Sequence, residues 1–169
     1  MLDYLTPDAI VAGVGELGAE RLAAWDTRGI ALDLDNTIVP WYSGVLHPGV
    51  KEWSRMVHGL GIRMCLLTNN YGRHTRAVAD ELGVPIVRGA LKPLPGAFTR
   101  CLRELGVDAA HGLSVGDQLF TDVLGAKLVG MRAVYVRRIA EREFPTTWLL
   151  RQLERPVLAR LRRAGVPGA

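Results

Sequence analysis

The feature that most constrains the fold of this chain is a regular alternation of short apolar runs with amphipathic stretches. Between the runs, apolar residues recur at the spacing typical of helices that bury one face. Strands separated by helices pair in parallel through right-handed crossovers. The sequence therefore predicts an α/β fold of three layers, in which helices flank an open five-stranded parallel sheet. The predicted strands are residues 30–34, 62–68, 84–87, 111–117 and 131–136.

Helices are predicted in the remaining stretches. Thr6-Pro7-Asp8 is a helix-start signal, so we expect the first helix over residues 8–25. Neither a linker nor an internal repeat interrupts the 169 residues, a length that suits one domain. We therefore expect a single domain over residues 1–169. The other helices are predicted over residues 50–60, 77–82, 98–105 and 119–129.

Charged and polar side chains gather at the carboxyl ends of the predicted strands, where the functional groups of open parallel sheets collect. Asp33 and Asp35 stand one residue apart at the end of a buried run, where like charges repel and each costs free energy to desolvate. A cation offsets that repulsion, and all-oxygen ligands favour a hard cation such as Mg²⁺. The other members of the set are Thr68, Asn69, Asn70, Lys92 and Asp117.

These residue types suit phosphoryl transfer. A carboxylate attacks phosphorus to form an aspartyl phosphate, and a bound metal ion neutralises the phosphate charge. A second carboxylate, two residues along an extended chain, points the same way and can act as general acid, then as general base. A hydroxyl such as that of Thr68 and a cation such as Lys92 can hold phosphate oxygens. The set therefore favours an enzyme over a collection of turn and cap residues.

Four short motifs resemble those of the haloacid dehalogenase (HAD) superfamily of phosphatases in order and in spacing. They are "DLDNT", "LLTNN", "KP" and "VGDQLFTD", and the resemblance covers residues 29–136. It implies a Rossmann-like core, with Asp33 as the nucleophile and Asp35 as the acid/base residue. It also implies that Thr68 and Lys92 bind the phosphate group.

The same resemblance implies a Mg²⁺ site formed by Asp33, the backbone carbonyl of Asp35, and Asp117. Asp122 would then be an outer-shell partner or a water-mediated ligand, and the alternative is that it caps the helix that follows. Asn69 either contacts the phosphate group or serves as a turn residue, and the sequence leaves both roles open.

HAD phosphatases usually carry a cap domain over the site, and this sequence has no room for one. Residues 38–48 alone separate the first motif from the next helix, and 23 residues lie between Thr68 and Lys92. We expect an open site with a short flap that carries Trp41 and Tyr42. Such a site admits a substrate that cannot be enclosed, such as a lipid head group, a protein or a nucleic-acid end.

The stretches "DLDNTIVPW" and "VGDQLFTDVLGA" resemble the YqeG-type family of HAD subfamily IIIA, which is related to the mitochondrial phosphatidylglycerophosphate phosphatase. This resemblance implies Mg²⁺-dependent hydrolysis of phosphatidylglycerophosphate to phosphatidylglycerol and phosphate. Two alternatives stay open. One is a phosphatase for a soluble phosphoester, a phosphoprotein or a nucleic-acid end. The other is a non-enzymatic phosphate-binding module, which has no need of the acid/base residue.

Positive charge is concentrated near the carboxyl end of the chain. The net charge is +4, and residues 137–163 alone hold eight Arg and three Glu. The segment at about 145–164 predicts a basic amphipathic helix, which either lies on anionic lipid or packs its apolar face on the core. Trp41, Tyr42 and Trp148 are candidate anchors at a membrane surface.

The sequence holds no apolar run long enough to cross a membrane, and no basic export signal at its start. We therefore expect a cytoplasmic protein, peripheral to the inner face of the membrane. Its expected partner is a phosphorylated substrate, a lipid head group at an anionic surface. A nucleic-acid partner is disfavoured, and the oligomeric state stays open.

Overall fold

The computed structural model describes residues 2–41, 43–141, 145–166 and 168, apart from the side chains of Leu2 and of residues 145–149. Within this part of the chain, six strands form one parallel sheet in the order β1-β6-β5-β2-β3-β4. The prediction of a parallel α/β sheet is confirmed, with one strand more than expected. The strands are β1 Ala9–Val11, β2 Gly29–Leu32, β3 Arg63–Thr68, β4 Ile86–Arg88, β5 Gly112–Gly116 and β6 Arg132–Val136.

Helices cover both faces of the sheet, which confirms the three layers. Trp53 and Val78 pack with the apolar cluster on one face, and Phe98 and Ala126 with the cluster on the other. A π-helical turn, Leu119–Val123, precedes the fifth helix. The helices are α1 Ala19–Ala24, α2 Val50–Gly59, α3 Arg73–Leu82, α4 Pro95–Leu105, α5 Leu124–Leu128 and α6 Pro145–Arg163.

Strand β2 lies in the middle of the sheet, between β3 and β5. Ile30 and Leu32 join one apolar cluster and Ala31 joins the other, because successive side chains of a strand point to opposite faces. The backbone N–H of Asp33 donates to the carbonyl of Val115 at 2.9 Å, which carries the β2–β5 ladder one residue past the strand. This ladder fixes Asp33 at the carboxyl edge of the sheet.

The prediction of a helix over residues 8–25 is wrong. Ala9–Val11 is an edge strand paired with β6, and the helix is confined to Ala19–Ala24. The Asp8 carboxylate accepts hydrogen bonds from Lys127 Nζ at 2.7 Å and from a backbone N–H of β6 at 2.8 Å, so it ties β1 to its neighbours. Three glycines lie between this strand and α1. Glycine loses the most backbone entropy in a helix, so this stretch favours a strand and turns.

The C-terminal segment forms one helix, α6, which continues through Pro156. Among its described side chains, Arg151, Glu154 and Leu161 are buried, whereas Leu153 is 57% exposed. The predicted helix is therefore present, and part of its apolar face packs on the core: Leu161 is buried, and Val157 packs against the same apolar cluster. Arg151 and Glu154 also point into the protein.

Among the helices that the structure describes, none combines the length and the apolar character of a membrane span. Trp41, on the predicted flap, is half-buried. Tyr42 and the side chain of Trp148, the two other predicted anchors, lie outside the described residues.

Candidate functional site

A buried lysine joins two buried carboxylates at the carboxyl edge of the sheet. Lys92 Nζ donates to Asp33 Oδ1 at 2.5 Å, to Asp122 Oδ1 at 2.6 Å and to the carbonyl of Leu67 at 2.9 Å. Three acceptors therefore satisfy the three N–H groups of the ammonium. Burial alone lowers the pKa of Lys92, but Asp122 and Asp33 outweigh it and raise that pKa, so the lysine stays charged. We call this group the Lys92 centre.

The Asp33 carboxylate is held from a second direction as well. Thr37 Oγ1 donates to Asp33 Oδ2 at 3.0 Å, and Asp33 and Thr37 are both buried. Thr37 lies on a tight turn, in which the N–H groups of three successive residues donate to the carbonyl of Leu34. The turn is closed by Asn36, whose φ of 60° lies in the left-handed region that Asn tolerates. The local sequence thus fixes the orientation of the Asp33 carboxylate.

Asp35 lies at the rim of the site, half-buried, and its carboxylate faces the loop after β3. Asn70 Nδ2 donates to Asp35 Oδ2 at 2.7 Å, and His74 Nε2 lies 3.8 Å from Asp35 Oδ1. His74 Nε2 also lies 3.3 Å from the same Asn70 amide. His74, which stands on the first turn of α3, belongs to none of the four sequence motifs. An acid/base residue at Asp35 would have both partners to orient it.

Thr68 is the last residue of β3, and Asn69, which follows it, contacts the loop that carries Lys92. Thr68 is buried, and its Oγ1 accepts a hydrogen bond from the N–H of Asn70 at 3.0 Å. Asn69 Oδ1 accepts from the N–H of Lys92 at 2.8 Å, and Asn69 Nδ2 donates to the carbonyl of Lys92 at 3.4 Å. The Asn69 side chain therefore bridges two loops, which favours a structural role for this residue over phosphate binding.

Asp122 does not cap the helix that follows, because its Oδ2 accepts from the N–H of Gln118 at 3.1 Å, four residues before it. Its Oδ1 accepts from Lys92. Gly116, the last residue of β5, makes room for this side chain, since a Cβ there would lie 2.3 Å from Asp122 Cγ. Both carboxylate oxygens of Asp122 thus have hydrogen-bond donors.

Asp117 completes a cluster of acidic side chains. One oxygen each of Asp33, Asp117 and Asp122 lies within 4.8 Å of the others, and all three residues are buried. Burial raises the pKa of Asp117 to about 8, although Arg151 opposes the shift. Burial also raises the pKa of Asp122 to about 6, against the opposing charge of Lys92. The cluster therefore needs more positive charge to be stable in its ionised form.

The chemistry of this cluster fits a divalent cation. Asp117 Oδ1 is buried and accepts no hydrogen bond from the residues that the structure describes. A buried acceptor without a donor costs free energy, and a cation removes that cost. The cluster offers carboxylate oxygens only, the ligands that hard divalent cations prefer.

Sequence reasoning missed a second buried cation, which comes from α6. Arg151 Nη1 donates to the carbonyl of Asp117 at 2.6 Å, and Arg151 Nη2 donates to Asp117 Oδ2. Glu154 accepts from Arg151 Nη1 at 3.4 Å and from the N–H of Leu119 at 2.6 Å. We call Asp117, Arg151 and Glu154 the Arg151 group. Arg151 belongs to the predicted basic helix, yet its guanidinium is buried against the Asp117 carboxylate.

Comparison with known proteins assigns this site to a family. Residues 40–130, more than half of the chain, match the family model of the haloacid dehalogenase-like hydrolases. The chain belongs to this family. The protein named as the probable phosphatase YqeG of Bacillus subtilis (strain 168) is 33% identical over 162 residues, which are 96% of this chain and 94% of that protein. The chain is therefore a HAD phosphatase, as the motifs indicated.

Two further comparisons reach less far. Phosphatidylglycerophosphate phosphatase 1, chloroplastic/mitochondrial, of Arabidopsis thaliana is 25% identical over 171 residues, which are 95% of this HAD phosphatase but 48% of that protein. This chain thus spans about half the length of that relative. The cobalt-bound form of deoxy-D-mannose-octulosonate 8-phosphate phosphatase from Haemophilus influenzae superposes with a TM-score of 0.55 over 66% of this chain and 69% of that one. At 15% identity, that likeness shows the fold alone.

Proposed function

We propose that this HAD phosphatase is a Mg²⁺-dependent phosphomonoester hydrolase that acts through an aspartyl phosphate on Asp33. The observation that carries the proposal is the fixed Asp33 carboxylate, which Lys92 and Thr37 hold beside the buried carboxylate of Asp117. A nucleophile oriented before the substrate binds lowers the entropic part of the barrier.

The acidic cluster supplies the cation site in this proposal. Asp33, the backbone carbonyl of Asp35, and Asp117 would hold Mg²⁺, with Asp122 as an outer-shell partner. When bound, the cation neutralises phosphate charge and supports in-line attack at phosphorus. Lys92 offsets further charge on the phosphate oxygens, and Thr68 offers them a hydroxyl.

The reaction then proceeds in two steps. A carboxylate oxygen of Asp33 attacks phosphorus, the bond from phosphorus to the alcohol oxygen breaks, and Asp35 gives its proton to that oxygen. In the second step Asp35 takes a proton from water, whose oxygen attacks phosphorus and displaces the Asp33 carboxylate. Inorganic phosphate leaves, and both aspartates return to their starting state.

We further infer that the substrate is phosphatidylglycerophosphate. The Arabidopsis phosphatase that carries this substrate in its name supports this choice, since 95% of this chain aligns with it at 25% identity. The open layout supports it as well, because the described residues between β3 and β4 hold the single helix α3. In this proposal residues 1–169 form one domain without a cap, so a head group at a membrane surface can reach Asp33.

The test is phosphate release from phosphatidylglycerophosphate in mixed liposomes, with and without Mg²⁺. We expect strong release with Mg²⁺, little after chelation, and none from the Asp33→Asn variant. A soluble aryl phosphate should be hydrolysed far more slowly than the lipid. Hydrolysis of the aryl phosphate without any release from the lipid would keep the chemistry and exclude the proposed substrate.

A further inference from the structure

An arginine-lined cleft opens beside the site, between the end of β6 and α6. Its volume is about 490 Å³, within the range of clefts that hold small ligands. Two glutamates, Glu141 and Glu154, also line it, so positive charge prevails. Five of the described arginines line the cleft: Arg137, Arg138, Arg151, Arg155 and Arg162.

The cleft is connected to the active site through Arg151. This residue lines the cleft and donates to both the carbonyl and the carboxylate of Asp117. Tyr135, another lining residue, pairs in register with Gly116, which directly precedes Asp117. The cleft therefore begins where the acidic cluster ends.

The distance from the nucleophile to the cleft follows from the order of the strands. Asp33 follows β2, Asp117 follows β5, and the cleft lies beside β6, the next strand in the sheet. Neighbouring strands lie about 4.8 Å apart, so the cleft is roughly 10 Å from Asp33. Arg155 stands one helical turn beyond Arg151, about 6 Å along the axis of α6.

We propose that this cleft binds a second phosphate group of the substrate, the phosphodiester that a glycerol unit separates from the terminal phosphate of phosphatidylglycerophosphate. With the terminal phosphate at Asp33, an extended glycerol unit and the reach of an arginine side chain span the distance to the cleft. Arginine suits a phosphodiester because its planar guanidinium donates two parallel hydrogen bonds. The inference rests on the proposed function and names the part of the substrate that confers selectivity.

Two arginine pairs on α6 provide a matched test. Arg155 and Arg162 line the cleft, whereas Arg160 and Arg163, exposed on the same helix, do not. The Arg155→Gln/Arg162→Gln and Arg160→Gln/Arg163→Gln variants therefore lose equal charge from one helix. Any general attraction of the helix to anions weakens equally in both.

The measurement is calorimetric titration of the full-length Asp33→Asn protein, with Mg²⁺, by glycerophosphoglycerophosphate, the deacylated form of the lipid. We expect the cleft pair to raise Kd by at least about tenfold, since charge-assisted hydrogen bonds to the phosphodiester are lost. The control pair should change Kd less than about twofold, as surface charges contribute little. In a titration with glycerol 3-phosphate, which lacks the phosphodiester, the Kd values of the two variants should differ much less.

Equal shifts in both variants, or no binding to the Asp33→Asn protein, would overturn the proposal. A cleft-pair effect confined to anionic vesicles would also overturn it, because the arginines would then contact membrane lipid rather than substrate. Turnover of the same compound by the unmodified enzyme is measured separately. Tight, cleft-dependent binding without turnover would refute the proposed function and leave the binding site standing, so the two failures are distinguishable.

Discussion

Two buried groups in this molecule each combine one cation with two carboxylates. They differ in whether the described residues satisfy every carboxylate oxygen with a hydrogen bond. In the Lys92 centre, one cation joins Asp33 and Asp122, and the donors of the lysine are all used. In the Arg151 group, one cation joins Asp117 and Glu154, while Asp117 Oδ1 accepts no hydrogen bond from the described residues. Each group has one more carboxylate than cation, so together they match the charge of one divalent ion.

This difference indicates that Lys92 and Arg151 have different roles. Lys92 contacts the proposed nucleophile directly and belongs to a loop at the sheet edge. Arg151 contacts the proposed metal ligand Asp117 from a helix at the far end of the chain, and it orients that ligand. Loss of Lys92 should therefore reduce turnover, whereas loss of Arg151 should weaken Mg²⁺ binding.

The largest effect is expected from Lys92→Met. Asp33 and Asp122 would remain buried without their cation, which costs about 3–5 kcal/mol of unfolding free energy. Turnover should fall by at least about 10³-fold, since a charge that stabilises the reacting phosphate is lost. Urea unfolding and phosphate release check both expectations. Lys127→Met is the control, because its ion pair with Asp8 is half-exposed and contributes about 1 kcal/mol or less.

Arg151→Met should produce the next largest effect, and of a different kind. The Mg²⁺ concentration for half-maximal activity should rise about 10–100-fold, the usual consequence of losing a partner that orients a metal ligand. Turnover at saturating Mg²⁺ should recover to within a few-fold. Arg160→Met, which removes an exposed arginine from the same helix, should leave the half-maximal Mg²⁺ concentration unchanged. An Arg151 variant with reduced turnover at every Mg²⁺ concentration would remove the distinction between the two groups.

The metal-free protein should lose stability as pH rises. Burial raises the pKa of Asp117 to about 8, of Glu154 to about 7 and of Asp122 to about 6. Each group holds its proton in the folded state at pH values where the unfolded chain has lost it. The unfolding free energy therefore falls from roughly pH 4 to pH 8, by up to about 1.4 kcal/mol per pH unit for each group.

Urea unfolding in a chelator at several pH values measures this slope. Lys92 adds nothing to it in this window, because its raised pKa keeps it charged throughout. Mg²⁺ should flatten the slope, since it binds the ionised carboxylates, and Asp117→Asn should flatten it without metal. A metal-free stability that rises with pH would contradict the charge assignment of both groups.

The smallest effect is expected at the rim. His74→Ala should reduce turnover by about tenfold or less, because the Asn70 amide at 2.7 Å still orients Asp35. The pH profile of kcat should shift with it, since His74 Nε2 lies 3.8 Å from the Asp35 carboxylate. His58→Ala, on the exposed face of α2, serves as the control. If His74→Ala left the pH profile of kcat unchanged, His74 would have no part in orienting Asp35.

The sequence predicts the gathering of Asp33, Lys92 and Asp117 well, because each of them lies shortly after the end of a strand. Asp33 continues the β2–β5 ladder, so its place follows from strand pairing alone. Lys92 lies in the loop after β4, and Asp117 directly after β5. The carboxyl ends of parallel strands meet at one edge, which brings such residues together.

The edge strand and the burial of Arg151 and Glu154 could not be predicted in this way. Ala9–Val11 is too short for a periodic signal, and its partner β6 lies more than a hundred residues away. In α6, apolar spacing selects Leu153 and Leu161, yet Leu153 is exposed, and the buried residues include Arg151 and Glu154 as well as Leu161. Hydrophobic periodicity finds apolar faces, so an ion pair buried by a distant carboxylate leaves no trace in it.

The proposed mechanism requires Asp33 to carry a covalent acyl phosphate during turnover. The most direct measurement is mass spectrometry of acid-quenched enzyme after a single turnover, in an Asp35→Asn variant that slows the second step. A phosphoryl group is expected on the peptide that contains Asp33, and none when Asp33→Asn is added. Continued phosphate release with no phosphorylated peptide at any time point would contradict the covalent mechanism.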